Sequence, residues 1–178
     1  MQRETVATRI KDTAVLHGEF TLRSGRTSTW YIDKYLFTTQ PDILKSLGEL
    51  FKETIPDTTT LLAGAELGGI PLVTTASMAI GVPCIFIRNQ KKGYGTAKQL
   101  EGKLLSTDRV VIVEDIATTG GQVLEAATTI QESGATVEAI IAVIDRREGA
   151  RENIEAAGFK FQSLFITEDL GISEGAAQ

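Results

Sequence analysis

Short apolar runs and helical stripes alternate along most of this chain, and their periods define its elements. Val6, Ile10, Ala14 and Val15 recur at helical spacing over residues 3–16 and predict an amphipathic helix, ended by His17 and Gly18. Residues 19–23 then alternate polar and apolar, Ser24, Gly25 and Arg26 supply turn chemistry, and residues 29–37 are rich in aromatic and β-branched side chains. That sequence predicts a short antiparallel hairpin or hood. Pro41 suits a helix N-terminus, and Ile43, Leu44, Leu47, Leu50 and Phe51 share one face of a helix reaching about Thr54. From residue 60 the pattern changes. Apolar strands at 61–64, 84–87, 110–113 and 139–144 alternate with helices at 70–80, 121–133 and about 149–157. Continuous apolar strands separated by helices imply an α/β fold with a central parallel sheet covered on both faces, whose ligands bind beyond the carboxyl ends of the strands.

Composition narrows the classes. The 178 residues suit one compact domain over 1–178, with the N-terminal helix and hood at about 1–40 and the core at about 41–178. Hydrophobic residues at 42% and charged residues at 23% exclude wholesale disorder. A net charge of −5 argues against nucleic acid or an anionic membrane as partner. One cysteine and one histidine cannot form a disulfide, a zinc cluster, a Cys-His dyad or a Ser-His-Asp triad within the chain. The N-terminus lacks the apolar stretch of a secretory signal, and Gly81 and Pro83 interrupt the longest apolar region, residues 79–87. A cytoplasmic location is expected.

The strongest signal is the segment 110–122. A buried strand delivers Glu114 and Asp115, then Ile116, Ala117, Thr118, Thr119, Gly120 and Gly121, to a helix that opens with Gln122. Glycines there permit tight curvature and close ligand approach, while unpaired amides at the helix start point at a bound phosphate. Carboxylates repel phosphate, but they accept hydrogen bonds from sugar hydroxyls or hold a hydrated Mg²⁺. A sugar phosphate uses every part. An ordinary strand-to-helix turn with solvated acids is the bland alternative. The Gly-x-x-x-x-Gly-Lys-Ser/Thr pattern is absent, and Gly93, Gly95 and Lys98 do not complete a dinucleotide fingerprint.

This segment resembles the phosphoribosyl pyrophosphate loop of the type I phosphoribosyltransferases. Residues 20–26 with Trp30, Tyr31, Ile32 and Asp33, then 63–71, 88–95 and Ile144-Asp145-Arg146, occur in the order seen in the orotate phosphoribosyltransferases. The resemblance spans roughly residues 15–160. It implies transfer of ribose 5-phosphate from phosphoribosyl pyrophosphate to orotate, giving orotidine 5′-phosphate and pyrophosphate in UMP biosynthesis, with Mg²⁺ carried chiefly by the substrate pyrophosphate and water rather than by direct protein ligands. It further implies that Glu114 and Asp115 hold the ribose hydroxyls, that residues 118–122 wrap the 5′-phosphate with Thr118 also at the orotate edge, and that Arg146 binds orotate. Arg23 matches a lysine that contacts ligand near the reacting centre.

Residues 88–98 carry Arg88, Lys91, Lys92 and Lys98 and no acidic residue. With Gly93 and Gly95 as hinge positions the segment reads as a lid over an anionic donor; a solvated basic loop is the alternative. The resemblance makes Arg88, Lys92 and Tyr94 lid residues that serve the partner subunit's site in a homodimer, with Lys92, Arg88 and Asp115 the catalytic set. Asn89 stands where lysine is common and Tyr94 where histidine is common. Leu67 and Gly68 replace a Tyr-Lys pair of some members, which shifts the pyrophosphate toward backbone amides. His17 reads as a capping or surface residue, Cys84 as a small apolar strand residue, Tyr31 as a neighbour of the pyrimidine or simple hood packing, and Glu66 as solvated or functional. A purine-base transferase and a non-catalytic regulator sensing the donor remain the alternatives.

Overall fold

The computed structural model describes residues 1–21, 25, 27–89 and 99–172. Arg23, Lys91, Lys92, Tyr94 and Lys98, all named above, lie outside them.

Helix α1 (Arg3–Ala14) stops two residues earlier than its apolar stripe suggests. Val15, Leu16 and His17 leave it to pair with Ile32, Tyr31 and Trp30, so β1 (Val15–Thr21) and β2 (Thr27–Ile32) form the expected hairpin with different bounds. His17 is therefore an exposed strand residue and not a helix cap. The second strand also ends sooner than residue 37. The Asp33 side chain accepts a hydrogen bond from the Tyr35 amide at 3.1 Å and caps α2 (Lys34–Thr38), a turn of helix. Helix α3 (Pro41–Thr54) follows as predicted, with Pro41 in its first turn and Ile43, Leu47 and Phe51 buried.

The core then alternates strand and helix through β3 (Leu61–Ala65), α4 (Gly69–Ile80), β4 (Cys84–Ile87), β5 (Leu100–Glu101), β6 (Arg109–Ala117), α5 (Gly121–Glu132), β7 (Thr136–Asp145), α6 (Ala150–Ala156) and β8 (Phe161–Ile166), closing on a 3₁₀ turn, Thr167–Leu170. The six strands lie in the order β5-β4-β3-β6-β7-β8. All neighbours are parallel except β4 and β5. Side chains divide between the faces with period two. Leu62, Val111, Val113, Ile141 and Val143 pack under α1, α3 and α4; Leu61, Ala63, Val110, Ile112, Ile140 and Ala142 pack under α5 and α6. Cys84 is partly buried against the first of these clusters, in its apolar role.

That strand order places the topological switch between β3 and β6, since β3 crosses over to β4 on one side and β6 to β7 on the other. The loops after β3 and β6 open from the same end of adjacent strands, as the register Leu61↔Val110 through Gly64↔Val113 requires. No helix among the described residues is long and apolar enough to cross a membrane.

Candidate functional site

At the end of β6 the backbone turns into α5 through Gly120, which caps the helix with φ +80°. A Cβ there would adopt a left-handed conformation and also crowd Ile154 at 3.0 Å. Residues 114 and 116–123 wall a cavity of about 140 Å³ at this turn. Its floor is the start of α5, where helix amides have no partner within the helix and attract an anion. The sequence places Ile116, Ala117, Thr118, Thr119, Gly120, Gly121 and Gln122 here, and the structure assembles all of them.

The acid pair sits beside that cavity in two different states. Asp115 is buried, its Oδ1 accepting from the Ile116 amide at 2.6 Å and its Oδ2 lying 2.8 Å from Lys34 Nζ. Burial alone would lower the Lys34 pKa, but attraction to Asp115 and the hydrogen bond with it outweigh burial and hold the ammonium above its ordinary 10.5. Glu114 fares oppositely. Burial, then the Asp115 charge and a shared hydrogen bond, push its carboxyl up to about 8. At pH 7 the Glu114 carboxyl is therefore mostly protonated. Glu114 Oε2 is buried with no hydrogen-bond partner among the described residues. The pair offers hard oxygen atoms of the kind Mg²⁺ accepts. Among the described residues no group of three or more His, Cys, Asp or Glu could cage a metal.

The loop after β3 closes on this pair. An ideal Cβ on Gly68 would fall 1.6 Å from Asp115 Oδ2, so the carboxylate occupies the space of the missing side chain. Glu66 is engaged: its Oε1 accepts from the Asn89 amide at 2.8 Å. Asn89 Oδ1 in turn accepts from Gln122 Nε2 at 2.8 Å. Asn89 therefore ties the ends of β3 and β4 to the start of α5, a role that its place in the basic segment did not suggest. The Arg88 amide donates to the Gln99 carbonyl at 2.9 Å, which joins the residue after β4 to the residue before β5. The Arg88 guanidinium stands 3.8 Å from Glu101, with its Nε buried and without a hydrogen-bond partner among the described residues.

The remaining wall comes from β7 and the hood. Arg146 follows β7, its amide bonded to the Ala117 carbonyl at 2.9 Å. Its side chain is 11% exposed, pairs with Glu148 at 2.7 Å, and lies 4.8 Å over the Trp30 ring. Its Nε is buried without a hydrogen-bond partner among the described residues. Tyr31 is not at this corner. Strand alternation turns it outward, 40% exposed, with its ring 5.6 Å from Phe20, and gives the inward position to Trp30. Trp30, Lys34 and Glu148 are the site residues that the motifs missed. The alternation of β2 would have found Trp30; no local signal marks Lys34.

A phosphate cradle, an acid pair and a buried arginine converging at the switch point define a sugar-phosphate-binding α/β protein. The phosphoribosyl transferase domain model matches residues 37–167. Orotate phosphoribosyltransferase of Haloquadratum walsbyi is 44% identical over 161 residues, covering 90% of this chain and 87% of that one. Among solved structures, Mycobacterium tuberculosis orotate phosphoribosyltransferase in complex with Fe(III) dicitrate superposes with a TM-score of 0.87 at 32% identity, covering 96% and 99% of the two chains. The same enzyme in complex with phosphoribosyl pyrophosphate gives 0.82 at 31%, covering 96% and 99%. The chain belongs to the phosphoribosyltransferase family, on its orotate phosphoribosyltransferase branch.

Proposed function

We propose that the protein transfers ribose 5-phosphate from phosphoribosyl pyrophosphate to orotate, releasing pyrophosphate and forming orotidine 5′-phosphate in pyrimidine biosynthesis. The observation that carries this reading is the juxtaposition of the cradle at 118–122 with the acid pair and Arg146 at one end of β6 and β7. Helix amides take the 5′-phosphate. Glu114 and Asp115 take the ribose hydroxyls; a neutral Glu114 donates as well as accepts and keeps one negative charge away from an anionic donor. Arg146, stacked on Trp30, takes the orotate carboxylate, with Glu148 as its partner until the substrate arrives.

Displacement at the anomeric carbon builds positive charge on the sugar and negative charge on the leaving group, so the protein positions and stabilises charge more than it moves protons. Mg²⁺ supplies neutralisation of the pyrophosphate, and Glu114 and Asp115 are the groups that would face it. Arg88, with Lys92 and Tyr94 by resemblance, meets the leaving group. The same resemblance supports Arg23 as a ligand contact and a homodimer whose lid residues cross to the partner's site.

The reading predicts loss of orotate absorbance when protein, donor and Mg²⁺ are mixed, and no turnover of adenine or hypoxanthine. Purine turnover in place of orotate turnover would reassign the acceptor; donor binding without transfer to any base would make the protein a sensor.

A further inference from the structure

Lys34 stands outside every motif from which the site is read, yet its ammonium is 2.8 Å from the carboxylate at the centre of it. The Asp115 side chain is 3% exposed and that of Lys34 34%, so the lysine closes the carboxylate off from solvent while remaining half in reach of it. Gly68 makes this possible. A Cβ at residue 68 would meet Asp115 Oδ2 and come within 3.3 Å of Lys34 Cδ, so the pair runs through space that any other residue would fill. The loop after β3 carries Glu66, Leu67 and Gly68 and no cation; the positive charge beside it comes from α2 instead. Glu114, but not Asp115, lines the cradle cavity; consecutive residues of β6 face opposite sides of the sheet, and Asp115 turns toward Lys34 and Gly68.

A ribose hydroxyl that is to bond Asp115 must compete with this ammonium. The hydroxyl is the weaker partner for a carboxylate, but the donor that carries it also carries a pyrophosphate on the neighbouring carbon. That pyrophosphate is a dense anion well suited to an ammonium. We propose that Lys34 is a donor-binding residue that exchanges partners: it neutralises Asp115 in the empty site and passes to the pyrophosphate when a ribose hydroxyl takes the carboxylate. Before the exchange the buried carboxylate is paired with the ammonium; after it the carboxylate keeps a hydrogen bond from the hydroxyl while the ammonium meets an anion, so neither group is left without a polar partner. This rests on the reading of the site as one for phosphoribosyl pyrophosphate.

Calorimetric titration without any base, in Mg²⁺ buffer, tests it with two ligands that differ only in the pyrophosphate. Lys34→Met should weaken phosphoribosyl pyrophosphate by about tenfold or more, the worth of a charge-assisted contact, and leave ribose 5-phosphate within about threefold. Lys34→Arg should retain most of the donor affinity. Where Lys34→Met folds poorly, Lys34→Met with Asp115→Asn removes both charges, and the ratio of the two affinities should collapse in the same way. An equal loss for both ligands, or no loss for either, overturns the exchange while leaving the transferase reading intact. Wild-type protein that binds neither ligand overturns both.

Discussion

The two walls of the site are made of different material. The wall proposed to hold phosphate, from Thr118 to Gln122, is a single strand-turn-helix segment that presents backbone amides and two glycines. The acceptor wall is assembled from side chains that are far apart in the chain, with Arg146 from the end of β7, Glu148 beyond it and Trp30 from the hood. Asp115 lies on the seam, held by its own strand on one side and by Lys34 of α2 on the other. A wall made of backbone resists loss of side chains and fails when atoms are added. One made of side chains fails by truncation. Under the proposed function the contrast also separates the ligands, with the first wall meeting the donor and the second the acceptor.

Arg146→Ala tests the truncation limb and should show the largest effect. Removing a buried cation that pairs a carboxylate costs about 2–5 kcal/mol, so kcat/KM for orotate should fall about 10²- to 10³-fold, with donor affinity within about twofold of wild type. A comparable loss of donor affinity would erase the division between the walls. Gly68→Ala tests the addition limb. Its φ of −69° is ordinary, so the methyl adds no backbone strain and acts only by displacing the Asp115 carboxylate. Donor affinity should drop about 30- to 100-fold, the scale of one lost charge-assisted contact with its misplaced partner. An alanine variant that binds donor normally would show that the crowding relaxes at no cost to the site.

The same contrast explains what the sequence disclosed. Strands at 84–87 and 139–144 and the helix from Pro41 are local patterns, and the structure keeps them with shifts of a few residues. The cradle was legible because all its parts are consecutive. The hood was legible as a hairpin but not in its bounds, since Val15 to His17 continue a helical stripe locally and leave it only because β2 offers a ladder to pair with. Phe161–Ile166 escaped because Gln162 and Ser163 break its apolar run, although β7 supplies the neighbour that makes it a strand. Lys34 could not be read at all: its meaning depends on Asp115, eighty-one positions away, and on the absence of a side chain at Gly68.

The smallest expected effect lies on the seam and is a matter of pH. The Glu114 carboxyl titrates near 4.5 in the unfolded chain and at about 8 in the folded one, because the fold buries it beside the Asp115 charge. Between those values the folded state binds more protons than the unfolded state, so this group makes stability fall as pH rises from about 4.5 to about 8. Lys34 does not contribute there, since its pKa is raised above 10.5 and the stability it adds is present throughout that window and lost only above it. Asp42, Glu138 and Glu168, held below their ordinary values, titrate on the acid side of the window. Glu114→Gln keeps the shape and removes the titration. Its melting temperature should match wild type near pH 5 and exceed it by a few degrees, on the order of 1–2 kcal/mol for a chain of this size, at pH 8. Parallel melting curves for the two proteins across that range would mean that the folded state holds Glu114 ionised and that the two carboxylates do not divide their protons as the seam requires.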